Sequence, residues 1–419
     1  FAFGLTGDGY IDRARERGWL AGSDSVVSPA STNAQEDLQM RMTVEPLRDL
    51  KIDLNAQLTR NNSREIQFMF DNAPETRSGN FSMTIISIRT AFERHSAGDG
   101  YRSQSFERFL SNLDVVRDRV EAQYTGAQYP VGSNLAGQTF DPANGTVDRY
   151  SPDVMIPAFL AAYTGRDASK VGLDLLPGLL SLMPNWSITY SGLSKLPWVK
   201  KHFRSVNLNH AYRSTYSVGS YNTFQSFMSY MGDLGFVEDV LTGNPVPSTW
   251  FDIGSVSINE QFAPFFGIDL SLKNGMTAKA EYRKTRVLTL STTALQIVET
   301  SSDDLVLGLG YKINNFRIGG SRRNVKNSKS LVTNDLTLRA DVSLRSQSAL
   351  CRDIQTGLTQ ATTGNRALKI SCTADYNLSR MLTLRLYYDR QQDTPLISSS
   401  SYPVVTSDFG VTLKFSLNR

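Results

Sequence analysis

Residues 336–345 read LTLRADVSLR, and their alternation decides the fold. Leu336, Leu338, Ala340, Val342 and Leu344 fall on one side, while Thr337, Arg339, Asp341, Ser343 and Arg345 fall on the other. That is the period of two expected of an extended chain; a helix would scatter the same leucines around its axis. The pattern recurs downstream. Leu368, Ile370, Cys372, Ala374, Tyr376 and Leu378 oppose Lys369, Ser371, Thr373, Asp375 and Asn377. After a turn expected near Ser379 and Arg380, Leu382, Leu384, Leu386 and Tyr388 oppose Thr383, Arg385, Tyr387 and Asp389.

A soluble sandwich alternates too, so strand length, strand number and aromatic placement must separate the two cases. The alternating runs extend over about nine to eleven residues, enough to cross a bilayer at a tilt. Trp186, Tyr190, Tyr282, Tyr311 and Tyr388 stand at or near expected strand ends, where an interfacial girdle would lie. Upstream, Ile52, Leu54, Ala56 and Leu58 alternate with Lys51, Asp53, Asn55 and Gln57. Trp186, Ile188 and Tyr190 alternate with serine and threonine, and Leu305, Leu307, Leu309 and Tyr311 form a further apolar row. Val206, Leu208, Tyr212, Tyr216 and Val218 predict a strand that projects past the membrane. Roughly a dozen to fourteen strands are expected in all. Ile268, Leu270 and Leu272 approach a turn at Asn274 and Gly275, from which Ala278, Ala280 and Tyr282 return. A three-residue turn, read as Asn274, Gly275 and Met276, keeps these residues on one face.

The expected fold is therefore all-β: a transmembrane antiparallel β-barrel, part of a very large barrel, with a helical insertion. Barrel strands and a connecting segment are expected over 1–93, the insertion over 94–183, and further barrel strands over 184–419. In the insertion, Phe106, Phe109, Leu110, Leu113, Val116 and Val120 have helical spacing among charged residues. The segments 154–163 and 171–182 are more apolar but interrupted by Pro157 and Pro177, and each is too short to span a bilayer. The insertion is expected to fold over or into the barrel, with a surface-lying amphipathic helix as the rival reading.

Composition removes other classes. The 419 residues carry 44 basic and 40 acidic side chains, a formal net charge of +4 and a mean hydropathy of −0.28. No long apolar run predicts a transmembrane helix, and no block of like charge predicts nucleic-acid binding. The basic spots Arg322, Arg323, Lys326 and Lys329 sit among asparagine and serine, as in a solvated loop. Cys351 and Cys372 are too few for a disulfide framework and lack metal-ligand spacing. The chain begins Phe1, Ala2, Phe3 with no signal peptide, so it is expected to be a piece of a larger functional unit.

No catalytic, cofactor or metal motif emerges. His95, His202 and His210 form no HExxH pair, and neither a nucleophile elbow nor a phosphate loop is present. Gly308 and Gly310 lie on the polar face of an expected strand, making room for a wall or plug contact. His210 shares a face with Leu208 and Tyr212; interface placement or a bulge accounts for it, with gating or ligand binding as the alternative. Arg339, Asp341, Arg345, Lys369, Asp375, Arg385 and Lys414 are expected to face a hydrated lumen of mixed sign. At the C-terminus, Asp408, Gly410, Leu413 and Phe415 have the polar, glycine, hydrophobic, aromatic spacing of a barrel-assembly signal. Phe409, Val411 and Leu417 would share the lipid side with Leu413 and Phe415, and Thr412 and Ser416 the lumen side with Lys414.

Long strings then carry a family resemblance. WSITYSGLSKLPWVKKHF at 186–203, VNLNHAYRSTYSVGSY at 206–221, DLSLKNGMTAKAEYRKTR at 269–286, GLGYKI at 308–313, NDLTLRADVSLR at 334–345 and PDVMIPAFLAAYTG at 152–165 resemble the C-terminal region of the SprA/Sov family. The resemblance covers nearly the whole chain and is least secure in the opening segment and over 94–150. It implies the translocon of the type IX secretion system: a single-chain barrel of about 36 strands, as in the largest known, of which this chain is roughly the last third. It further implies transport of folded cargo from periplasm to cell surface and a lateral opening that engages a PorV-type barrel. A plug protein and a periplasmic peptidylprolyl isomerase are the other implied partners. No residue is assigned to these contacts. The competing readings are a TonB-dependent receptor barrel, a secreted β-rich adhesin and an outer-membrane hydrolase.

Overall fold

The computed structural model describes residues 10–19, 29–67, 75–224, 226–231, 234–314, 316, 335–378, 381–397 and 402–415. The expected turn at Ser379 and Arg380, the basic spots at Arg322, Arg323, Lys326 and Lys329, and Ser416 and Leu417 lie outside the described residues. In chain order the strands are β1 Ala30–Leu47, β2 Leu50–Ile66, β3 Glu75–Thr84, β4 Asn185–Tyr190, β5 Phe203–Thr223, β6 Met228–Met231, β7 Leu234–Glu238 and β8 Pro245–Thr249. They continue as β9 Phe251–Asp252, β10 Ser255–Leu272, β11 Met276–Ser291, β12 Gln296–Ile313, β13 Leu336–Asp353, β14 Thr359–Asn377, β15 Leu382–Pro395 and β16 Val404–Phe415. The helices are α1 Tyr10–Glu16, α2 Gln104–Ala122, α3 Pro152–Thr164 and α4 Pro197–His202.

One antiparallel sheet of 13 strands dominates, in the order β1-β2-β3-β5-β10-β11-β12-β13-β14-β15-β16, with β4 beside β2 and β5 and β9 beside β5. β1 to β3 and β10 to β16 pair with their sequence neighbours, the meander that antiparallel ladders permit, while 85–184 and 224–254 interrupt it. A separate sheet holds β6, β7 and β8. The architecture is that of a transmembrane β-barrel wall. Among the described residues, β1 and β16 are its two unpaired edges.

The principal strands are longer than a bilayer crossing demands: β5 has 21 residues, β14 has 19, and β10, β12 and β13 have 18 each. The alternation that the sequence displays covers only the apolar part of each. Beyond it the same face turns polar and the ladder continues, so Tyr282, expected near a strand end, lies inside β11 at the level where the change occurs. At the β10–β11 turn, Leu270 faces Ala278 and Ser271 faces Thr277. The turn thus contains three residues, but they are Lys273, Asn274 and Gly275, two positions away in register from the expected pairing. A shift of two preserves every face. Gly275 has φ +90°, and a Cβ there would meet the Lys312 carbonyl at 2.9 Å.

The insertion differs from expectation in two respects. α3 runs unbroken through Pro157, which sits early in the helix and removes a single intrahelical bond; the helix is almost wholly buried, so packing outweighs that loss. The segment 171–182 forms no α-helix, only the 3₁₀ turn Leu179–Ser181, because Pro177 precludes a continuous ladder. α2 starts at the Ser103 cap, whose hydroxyl accepts from the Phe106 amide, and buries Phe106, Phe109, Leu113, Val116 and Val120.

That apolar stripe belongs to one buried cluster with α3 and with Tyr216, Val218, Val256, Ile258, Leu288, Leu290 and Ile297 of the wall. By the register, those positions share a face with Leu208, Ile268, Leu270, Ala280 and Leu307. The insertion therefore lies along the apolar side of the wall, past the end of its apolar rows, as a collar. It does not enter from the polar side, which corrects the expectation of a segment folded over or into the barrel.

Candidate functional site

The wall has two chemically distinct faces. One carries Leu305, Leu307, Leu309 and Tyr311 on β12, Leu336 to Leu344 in alternation on β13, Leu382 to Tyr388 on β15, and Phe409 to Phe415 on β16. These side chains pack on nothing beyond the sheet: Leu309 is 57% exposed and Phe409 is 73% exposed. The five rows from Leu336 to Leu344 extend about 26 Å along the strand at 3.3 Å per residue. A contiguous exposed patch of this size is untenable in water and fits a hydrocarbon layer crossed by tilted strands. The face changes character along each strand. From β11 to β14 the change lies at one level, where Tyr282 gives way to Lys284, Leu305 to Asp303, Leu344 to Ser346 and Leu368 to Arg366; on β5 and β10, across the bulge, Tyr212 gives way to Ser214 and Phe262 to Glu260 one row farther toward the collar, and on β2 Leu58 gives way to Arg60 two rows farther still. Phe262, Phe265, Tyr282, Trp186 and Tyr212 cluster along that border, the arrangement of an interfacial aromatic belt.

The register places Arg339, Asp341, Arg345, Lys369, Asp375, Arg385 and Lys414 together on the opposite face. Two form one cross-strand pair: Arg385 donates to both Asp375 carboxylate oxygens, at 2.5 and 3.0 Å. Arg345 instead pairs across β12 with Asp304, at 2.7 and 3.2 Å, a partner that sequence spacing does not reveal. Arg339 stands between Gly310 and Thr373, Asp341 between Gly308 and Ser371, Lys369 between Ser343 and Gln391, and Lys414 opposite Thr383. Lys279, Gly308, Gly310, Arg339 and Asp341 line a shallow recess of about 350 Å³ with Asp269 on its rim. The surface is hydrophilic and mixed in sign.

Of the four candidate assembly-signal residues, Asp408 and Gly410 lie on the polar face opposite Asp389 and Tyr387, while Leu413 and Phe415 lie on the apolar face opposite Leu384 and Leu382. Gly410 has a local reason for lacking a side chain, since a Cβ would come within 2.3 Å of the Tyr387 hydroxyl. The tyrosine ring covers the glycine across the strands.

His210 is accounted for by a bulge, located on the neighbouring strand. Between Phe262 and Gly267, β10 carries two more residues than the facing part of β5. The displaced Phe265 carbonyl accepts from His210 Nδ1 at 2.5 Å, and Trp186 Nε1 donates to His210 Nε2 at 3.1 Å. Both contacts fit one neutral tautomer with the proton on Nδ1.

Sequence reading missed the polar network beneath the collar. Its signal was the appearance of Glu260, Arg286, Glu299 and Arg352 at positions where the alternation calls for apolar residues. Glu260 Oε2 meets Arg286 at 2.8 Å, and Glu260 Oε1 accepts from Tyr212 and Ser87, both at 2.8 Å. Arg286 donates to the Thr90 carbonyl at 2.6 Å and the Thr90 hydroxyl at 2.8 Å, and that hydroxyl donates to the Tyr163 carbonyl at 2.7 Å. A buried ion pair is tolerable only when its remaining donors and acceptors are met, and here the collar meets them. Farther along the strands, Arg352 donates to Glu299 at 2.9 Å and to the Tyr101 carbonyl at 2.9 Å. His95 bridges the Arg102 carbonyl at 3.1 Å and Glu299 at 3.3 Å. Both His95 partners are acceptors, so the ring satisfies them only when doubly protonated. Burial works to lower the His95 pKa, but the Glu299 hydrogen bond and charge outweigh it and hold the group above its ordinary value. Burial would raise Glu299, and His95 and the neighbouring arginines reverse that and hold it below the usual carboxylate range.

No family model matches the chain, and no curated protein matches it. Among solved structures, one likeness is to OmpT, an outer membrane protein of Vibrio cholerae solved as a trimer, at 10% identity and a TM-score of 0.23, covering 93% of this chain and 99% of that one. A likeness so slight adds nothing to the reading of the wall, which rests on strand length, register and the apolar band. Walls of this construction are those of outer-membrane barrels, and the chain is an outer-membrane β-barrel protein.

Proposed function

We propose that this chain forms part of the wall of a wide protein-conducting pore in the bacterial outer membrane, the translocon of the type IX secretion system. The observation that carries the reading is a wall 11 strands wide whose two edges are unpaired among the described residues. Such a sheet fits as one sector of a larger barrel, because an open edge in lipid leaves backbone groups without partners. The resemblance of the long sequence strings to the SprA/Sov family favours the translocon over other barrels. A polar face of mixed sign, with several of its charges neutralised in place, would neither hold nor repel most folded proteins. In this reading the wall is a conduit, and selection and energy come from a PorV-type barrel at a lateral opening, a plug protein, a periplasmic peptidylprolyl isomerase and the cargo's own terminal domains.

Depletion of the protein tests this directly. Type IX cargo is expected to accumulate folded in the periplasm while unrelated outer-membrane proteins assemble normally. Cargo reaching the surface at wild-type rates would remove the translocon assignment and leave only the barrel.

A further inference from the structure

We infer that the connection between β4 and β5, residues 191–202, is a membrane-surface anchor that takes the headgroups of anionic phospholipid. The inference rests on the apolar face of the wall being in contact with lipid.

The connection lies at the end of the sheet away from the collar, where the apolar rows stop. Phe203 pairs with Leu272, and Tyr190 with Leu208 and Leu50, so both aromatics close the apolar face at this end. The Trp198 ring packs on His202 and Phe203, with centroids at 5.9 and 6.2 Å, which continues the apolar face beyond the last strand row. Yet Trp198 is 69% exposed and Leu196 is 51% exposed. Val199 is the residue of α4 that turns inward. A short helix that buries its valine and leaves its tryptophan out gains nothing in water, whereas indole is the side chain best suited to the headgroup boundary.

The charges on the same turn select the lipid. Lys195, Lys200 and Lys201 are all exposed, and only Lys195 has an acidic partner, Asp49 at 2.5 Å. Lys200 and Lys201 have none among the described residues. An aromatic and a leucine at the depth of the outermost acyl carbons, with two unneutralised ammonium groups just beyond, match the phosphate layer of a lipid leaflet.

Quenching of tryptophan fluorescence tests the anchor. The full-length protein is reconstituted in phosphatidylethanolamine vesicles containing phosphatidylglycerol, with one or the other lipid brominated, and the Trp198 signal is taken as the difference between the native protein and its Trp198→Phe variant. Brominated phosphatidylglycerol is expected to quench that signal several-fold more than brominated phosphatidylethanolamine. Lys200→Gln with Lys201→Gln should bring the ratio of the two quenching signals close to one, since the two cations carry the attraction to the anionic headgroup. Equal quenching by both lipids, or an unchanged preference in the double variant, overturns the anchor. Quenching of Trp186 but not of Trp198 also overturns it while leaving the lipid-facing wall intact. If neither tryptophan is quenched, the wall reading fails as well.

Discussion

Arginine placed at successive outward positions of β13 should cost stability in proportion to depth. Ala340 is the middle row of the five from Leu336 to Leu344 and sits between Leu309 and Cys372. Each row is about 6.6 Å along the strand, and at a barrel tilt near 40° that is about 5 Å of depth. Arginine costs about 3 kcal/mol at the midplane and about 0.5 at the interface some 12 Å away. Interpolating, Ala340→Arg should cost about 3 kcal/mol, Val342→Arg about 2, and Leu344→Arg about 1. Ser346→Arg, three rows out and level with Asp303, should cost close to nothing. The measurement is a guanidinium titration of each variant of the full-length protein reconstituted in phospholipid vesicles. A flat series, or a Ser346→Arg penalty equal to that of Ala340→Arg, would refute a lipid band that ends where Leu344 gives way to Ser346.

The two sides of the wall should also differ to thiol reagents. With Cys351 and Cys372 removed, cysteine at 338 should be shielded by lipid or detergent, whereas cysteine at 339 should label in an unplugged barrel. Reversed labelling would overturn the register of β13. Arg286→Met leaves Glu260 buried without its counter-charge and should cost about 3–5 kcal/mol. Its readout is faster proteolysis within 88–183, and unchanged cleavage would mean that the pair does not fasten the collar. The His95 latch should respond to pH. Its raised pKa stabilises the docked collar fully below the ordinary histidine value of 6.5 and is lost as pH rises through the folded value. The lowered Glu299 pKa stabilises above the ordinary 4.5 and is lost as pH falls through its own folded value. Collar protection from protease should therefore be greatest between about pH 4.5 and 6.5 and weaken above neutrality, and His95→Ala should remove the alkaline loss.

The sequence by itself determined the strands and their two faces. Alternation is a local property, since each side chain's direction follows from the pleat, and Leu338 and Arg339 must diverge wherever the strand is placed. The spacing of Phe106, Phe109, Leu113 and Val116 likewise made α2 legible, for its stripe needs no knowledge of what it covers. The tertiary structure alone decided where that stripe is buried. Both faces of the wall were open to it in the sequence, and the choice was made by Tyr216, Ile258, Leu288 and Ile297, which lie far apart in the chain and meet only through the ladder. The same holds for Glu260 with Arg286, Glu299 with Arg352 and His95, and Arg345 with Asp304. Each looks like a misplaced or solvated charge until pairing sets it beside its partner. His210 became intelligible through a bulge on the adjacent strand, since hydrogen-bond partners are assigned by register rather than by sequence distance. The depth at which the apolar face turns polar is also a tertiary fact, because a membrane boundary is a level shared by many strands.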